Sequence, residues 1–306
     1  MTIQTDFRPD DEPQVAEVPP VDTRRKLLLR KGSGILGAAF FGIAVLLCLI
    51  APWLPIADPN LNDLNEALRP PFWLSGGDMS HPLGTDQLGR DMMSRLLFGG
   101  RLTLVMVLAA VLLAAVVGLL VGIVAGYRGG VIDTILSRLT DAQLALPFIL
   151  LALTIVLAVG STVQTMIMVL ALGSWANFAR IVRGEAIGLR KRTFVVALES
   201  AHIGFFGIVF RHILPNLLPL LLVVAVLQFG VMTLSEAGLS FLAMGVHPPQ
   251  LTWGTMLAGG KDYLDSAWWI VVLPGLCIVL ATLSLNMIAD AARDKFDPTI
   301  GRGANK

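Results

Sequence analysis

Charge is what this chain has least of. Only 15% of its 306 residues are Asp, Glu, Lys or Arg, while 55% are hydrophobic. An average soluble domain is about 25% charged, so this chain has too little charge to cover a water-facing surface. Net charge is +1, which gives no electrostatic footprint for nucleic acid. Cysteine is nearly absent as well: Cys48 and Cys277 each lie inside an apolar run, which argues against a disulfide or a thiolate metal site. The four histidines, His81, His202, His212 and His247, are scattered near turns and loops, so a histidine metal centre is not expected.

Motifs of chemistry are missing too. No G-x-x-x-x-G-K-[ST] occurs, and the Gly260-Lys261 pair is followed by Asp262, so the chain holds no P-loop to cradle a nucleotide. H-E-x-x-H, G-x-S-x-G and C-x-x-C are also absent. Nothing in the residues supports an enzyme.

What the chain has is long apolar runs: 34–54, 102–125, 142–160, 161–179, 213–234 and 267–288. Each is long enough to cross a hydrocarbon core of ~30 Å at ~1.5 Å per residue. The expectation is an all-α polytopic membrane protein with six spans. The third and fourth runs abut at Gly160-Ser161-Thr162 and should form a tight hairpin. The first run is long for a signal-peptide core, lacks a clean cleavage site, and is expected to be retained. Gly118, Gly122 and Gly126 are spaced for close helix approach, within one subunit or between two. Pro147, Pro215, Pro219 and Pro274 should bend or begin spans. The runs carry no Asp, Glu, Lys or Arg at mid-depth, only Gln164, Asn177, Gln228 and Asn286, which counts against a proton- or ion-driven carrier.

Orientation follows from the basic residues. With both termini inside, 18 of the 23 Lys and Arg fall on the cytoplasmic side and 5 on the other. Residues 1–23, rich in proline and acid, are expected to be a disordered cytoplasmic tail. A 24–75 segment then carries the first span, and 76–101 is an amphipathic segment on the outer side. A five-helix core over 102–290 follows, with a cytoplasmic loop at 180–212, and 291–306 is a cytoplasmic C-terminus.

The 180–212 loop holds Arg180, Arg183, Arg190, Lys191, Arg192 and Arg211. Within it, residues 193–206 combine an apolar surface (Phe194, Val195, Ala197, Leu198, Ala201) with a polar edge (Glu199, Ser200, His202). Two readings of this short helix stand. It is a rigid lever that passes a partner's motion into the membrane, or an interfacial helix lying on the headgroups.

Several ordered segments together resemble the inner-membrane permeases of binding-protein-dependent ABC importers, specifically the C-type permease subunit of the dipeptide/oligopeptide/nickel group. These are HPLGTDQLGRDMMSRLLFGGRLTL (81–104), DTILSRLTDAQLALPFILLAL (133–153), LSEAGLSFLAMGVHPPQLTWGTML (234–257), AWWIVVLPGL (267–276) and DAARDKFDP (290–298). The resemblance covers 24–298 and implies a type I ABC importer permease fold with a cytoplasmic coupling helix. It also implies a chain that binds no cofactor, with ATP and Mg held by partner subunits. The implied partners are a paralogous permease, two cytoplasmic ATPase subunits, a periplasmic or extracellular solute-binding protein and the lipid bilayer of a bacterial inner membrane. Short peptides are the implied cargo; nickel chelates, glutathione or another small solute are alternatives, as is a stand-alone secondary transporter or channel.

In that family the coupling loop reads Glu-Ala-Ala, three residues, Gly, then a run ending in Ile-x-Leu-Pro or similar. FRHILPN (210–216) fits its end. Counting back from Pro215 puts Val196, Ala197 and Leu198 at the Glu-Ala-Ala positions and His202 at the Gly position. Glu199 and Gly204 look like displaced substitutes with a spacing one residue short. The resemblance thus marks Val196, Ala197, Leu198, Glu199, Ala201, His202, Gly204 and Pro215 for ATPase coupling. For contact with the binding protein it marks Asp86, Arg90, Asp91, Pro248 and Trp253.

Overall fold

The computed structural model describes the backbone of residues 23–296 and side chains from 32 to 294. The expected tail at 1–23 and the last ten residues lie almost wholly outside this range. The described residues form helices α1 (Thr23–Ile50), α2 (Met92–Arg128), α3 (Gly130–Ala145), α4 (Phe148–Val159) and α5 (Val163–Arg190). These are followed by α6 (Thr193–Ser200), α7 (Phe205–Ile208), α8 (Leu214–Phe241), α9 (Trp253–Gly260) and α10 (Trp269–Phe296). Among them no strand is present beyond one isolated bridge, Thr85 to Asp91.

Among the described residues, five helical segments are long and apolar enough to cross a membrane: 32–53, 92–128, 163–190, 205–241 and 269–294. A sixth crossing exists only if α3 and α4 count together, and these meet at 85°. The apolar run over 142–160 is therefore broken at Pro147, one of the prolines expected to bend or begin a span. Proline at 147 disfavours helix at the residue before it, and Leu146 is extended (φ −78°, ψ 126°). What remains after the break, α4, has 12 residues, about 18 Å and too short for the core by itself. The hairpin at 160–162 is present: Gly160 turns at φ +92° and Thr162 caps α5 by accepting from the Thr165 N–H at 3.1 Å.

Other edges move outward. α2 begins at Met92, so the boundary drawn at 101/102 falls inside one helix, and that at 290/291 falls inside α10. The fifth span is longer than its apolar run. It starts at Phe205, passes through a wider π-type turn at Val209–Ile213, and runs past Leu234 to Phe241. Pro215 lacks an N–H and its ring would crowd an ordinary α turn; the π turn directly before α8 opens the backbone there.

The centre of the bundle is the α2–α5 seam. A Cβ at Gly118 would stand 2.7 Å from the Trp175 carbonyl oxygen, and one at Gly122 would stand 2.7 Å from the Ala179 carbonyl oxygen. Gly126 meets Arg183 and Ala186 in the same way. The glycine stripe thus joins two helices of one chain. Around it Phe178, Ala114, Leu170 and Ala176 are fully buried. α1 lies on α10 through Gly34 and Gly37, while Ile35, Phe40, Ile43 and Leu46 on α1 stay exposed, as lipid-facing side chains of a membrane protein do.

Candidate functional site

Two sites lie at opposite ends of the bundle. The first, at the end carrying the basic segment, is α6 and its turn. Val195, expected on the outer surface of α6, is instead fully buried, in a cluster with Ile208, Val209, Ile213 and Leu217 of the following segment and with Ile123, Val182 and Leu189. Leu198 packs against this cluster while half-buried. Val196, Ala197, Ala201, His202 and Gly204 are exposed, as are Phe206 and Phe210. One face of α6 is therefore rooted in the bundle and the other is free.

The turn after α6 is tied to the end of α2. The Tyr127 hydroxyl donates to Glu199 Oε1 at 2.8 Å. The Tyr127 ring meets Phe205 edge-on at 5.3 Å, and the guanidiniums of Arg190 and Arg128 lie over Tyr127 and Phe205 at 5.7 and 5.0 Å. Tyr127 was not singled out by sequence, although it is one of only two tyrosines and closes a span beside an arginine.

The two candidates for the glycine position differ in backbone conformation. His202 sits at φ +59°, the left-handed region that glycine enters without strain. Gly204 is at φ −66° with nothing near its Cα, so its geometry makes no demand for glycine. Replacing His202 by Gly should stabilise the chain by about 1 kcal/mol, because a left-handed non-glycine residue costs ~1–2 kcal/mol. A thermal melt of the purified protein measures this, and a lower melting temperature for H202G would show that the imidazole itself is needed.

The second site is at the opposite end, where the 55–91 segment folds over the starts of α2, α9 and α10. Asp86 organises it: Oδ1 accepts from the Leu88 and Arg90 N–H groups at 2.8 and 3.1 Å, Oδ2 accepts from Nε of Arg90 at 2.7 Å, and Nε of Arg95 forms an ion pair with Oδ2 at 3.2 Å. The Nη1 of Arg95 also donates to the Pro59 carbonyl at 3.0 Å. Gly89, at φ +72°, passes so close to the Asp63 carbonyl that no side chain fits. Nearby, Ser80 hydrogen bonds, ahead of the Arg69 guanidinium 2.7 Å away, hold the Asp78 carboxyl below its ordinary range. A cavity of about 200 Å³ opens here between Asn60, Asp86, Arg90, Arg95, Pro248 and Gln250.

Not every residue marked at this end is free to touch a partner. Asp91 is buried and caps α2, accepting from Ser94 N and Oγ at 2.8 and 2.9 Å and facing His81 Nδ1 at 3.0 Å. Trp253 is 3% exposed, donating from Nε1 to the Leu96 carbonyl at 2.8 Å and from its backbone N–H to Thr103 Oγ1 at 3.1 Å. Both hold the segment together. Arg90 and Pro248 border the cavity, and Asp86 reaches it from below the surface.

The apolar-run bounds passed over one more residue. Glu236 in α8 is fully buried, its Oε1 accepting from Ser240 and from Thr252, the N-cap of α9, at 2.8 Å each. It ties a spanning helix to α9. Among the described residues no group of three or more His, Cys, Asp or Glu side chains is arranged to hold a metal ion.

Comparison with known proteins agrees with this architecture. Residues 118–302 match the family described as "Binding-protein-dependent transport system inner membrane component". The di/tripeptide transport system permease protein DppC of Pseudomonas aeruginosa is 39% identical over 272 residues, covering 89% of this chain and 90% of that protein. The dipeptide transport system permease protein DppC of Escherichia coli is 38% identical over 271 residues (89% and 90%), and that of Alkalihalophilus pseudofirmus 36% over 290 residues (95% and 93%). A chain of the MetNI methionine ABC transporter, solved in inward-facing conformations, superposes with a TM-score of 0.51 at 22% identity. The match covers 66% of this chain and 97% of that one. At that identity the likeness concerns the fold.

Proposed function

Because the chain belongs to the family of inner membrane components of binding-protein-dependent transport systems, we propose that it is one of two permease subunits of an ATP-driven importer of dipeptides or short oligopeptides. The names of its relatives support the peptide cargo. The observation that carries the coupling reading is α6: a short helix with one face rooted in the bundle through Val195 and Leu198 and the other exposed. Its turn is clamped to α2 by the Tyr127–Glu199 hydrogen bond. A freely lying interfacial helix needs no such clamp.

In this reading the basic end is cytoplasmic and both termini are inside. Of two ATPase subunits that hold ATP and Mg, one seats on the exposed face of α6 formed by Val196, Ala197 and Ala201, with His202 and Gly204 at the turn, and the other on the paralogous permease. The 55–91 segment and α9 face outward toward a binding protein. The translocation path runs between this chain and a paralogous permease, so each supplies half of the lining.

The test is reconstitution of the chain with its paralogue and the ATPase subunits in liposomes, with external binding protein. Uptake of a labelled dipeptide should require both ATP and the binding protein. Uptake that continues without the ATPase subunits would make the chain a stand-alone carrier. Failure with dipeptides but success with a nickel chelate or glutathione would keep the importer and replace its cargo.

A further inference from the structure

The cavity between the 55–91 segment and α9 has an electrostatic imbalance. The charged groups lining it are one carboxylate, Asp86, and two guanidiniums, Arg90 and Arg95. Asp86 is already engaged by three hydrogen bonds and a second ion pair, from Arg95. The side chains of Arg90 and Arg95 are 16% and 8% exposed. Neither terminal nitrogen of Arg90 has a hydrogen bond among the described residues, since only its Nε is engaged. One positive charge is thus left over where water is scarce, and a low local dielectric strengthens attraction for an incoming anion. The guanidinium fork matches a carboxylate in shape.

We propose that this cavity is a socket for a single acidic side chain, Asp or Glu, of the soluble binding protein; the proposal rests on the importer reading above. Size selects the occupant. Small-molecule sites usually span ~300–1,000 Å³, and about 200 Å³ is below that range, so a carboxylate carried on a protein surface fits where a free peptide does not. The rim comes from two separate segments, Asn60 to Arg95 and Pro248 to Gln250. A docked acid therefore bridges the start of α2 to the loop before α9.

The experiment measures binding-protein affinity for the assembled transporter in lipid nanodiscs. Arg90→Gln should weaken binding about 30-fold or more, mostly through faster dissociation, and Arg90→Lys should recover part of the loss. Arg90 also braces Asp86, so a second variant leaves that pairing intact: Gln250→Glu sets a fixed carboxylate at the exposed rim and should weaken binding about tenfold by like-charge repulsion. Elution as an intact complex is the folding control for both. The socket is overturned if both variants, correctly assembled, bind within about twofold of the parent. It is also overturned if millimolar free dipeptide displaces the binding protein from the parent but not from Arg90→Gln, since the occupant would then be the peptide's own carboxylate. A parent complex that binds no binding protein in any nucleotide state overturns the importer reading itself.

Discussion

Uptake should fall to background when residues 196–204 are replaced by glycine and serine, while the chain still inserts and pairs. The replacement spares Val195, the fully buried anchor of α6, and takes away Leu198, which packs half-buried beside it. It removes Glu199, the acceptor for Tyr127, and the exposed Val196 and Ala197. A Gly/Ser segment of this length has little helix propensity, each glycine costing ~1 kcal/mol against alanine. A lever without stiffness transmits no torque. The decisive measurement is ATP hydrolysis by the reconstituted complex with and without substrate-loaded binding protein. Stimulated hydrolysis at parent level would sink the lever reading.

The second large effect is structural. Gly118→Val combined with Gly122→Val should destabilise the chain by roughly 3 kcal/mol or more, since overpacking costs ~1–3 kcal/mol per site and sites on one seam do not relax independently. The atoms in the way include Phe178 Cβ and the backbone carbonyl oxygens of Trp175 and Ala179, which no rotamer change can move. Gly184→Ala and Gly188→Ala on α5, where a Cβ meets nothing within 4 Å, are the internal control and should be neutral or slightly stabilising. Thermal unfolding of the three purified variants beside the parent measures the difference. A double variant that melts with the controls would mean the two helices separate more easily than their spacing suggests.

Helix type and number were legible because the membrane imposes them: uninterrupted apolar length has one meaning in a chain with so little charge. Ends were not legible, because a helix outlasts its apolar run. α2 begins ten residues before Leu102 with a polar first turn capped by Asp91, and α8 continues past Leu234 because Thr252 and Ser240 give Glu236 partners inside the protein. Hydropathy sees the side chain and misses the partner. Pro147 signals a bend, but no local signal encodes its 85° size. In the candidate sites, which polar atoms stay available was not legible. Asp91 and Trp253 stand in a loop-facing segment by sequence, yet their polar atoms are consumed within the chain. Nor does residue type reveal that His202 adopts the left-handed conformation, at φ +59°.

The unbroken course of α2 has one further consequence. Its 37 residues extend about 55 Å, with Arg95 of the outer cavity in the first turn and Tyr127, the clamp on α6, in the last. Any shift of that rod is felt by both ends, and equilibrium linkage makes the effect mutual. If nucleotide on the ATPase subunits changes binding-protein affinity by some factor, then the docked binding protein must change nucleotide affinity by that same factor. A single helix would thus act as the balance beam on which two equilibria, one on each side of the membrane, are weighed against each other.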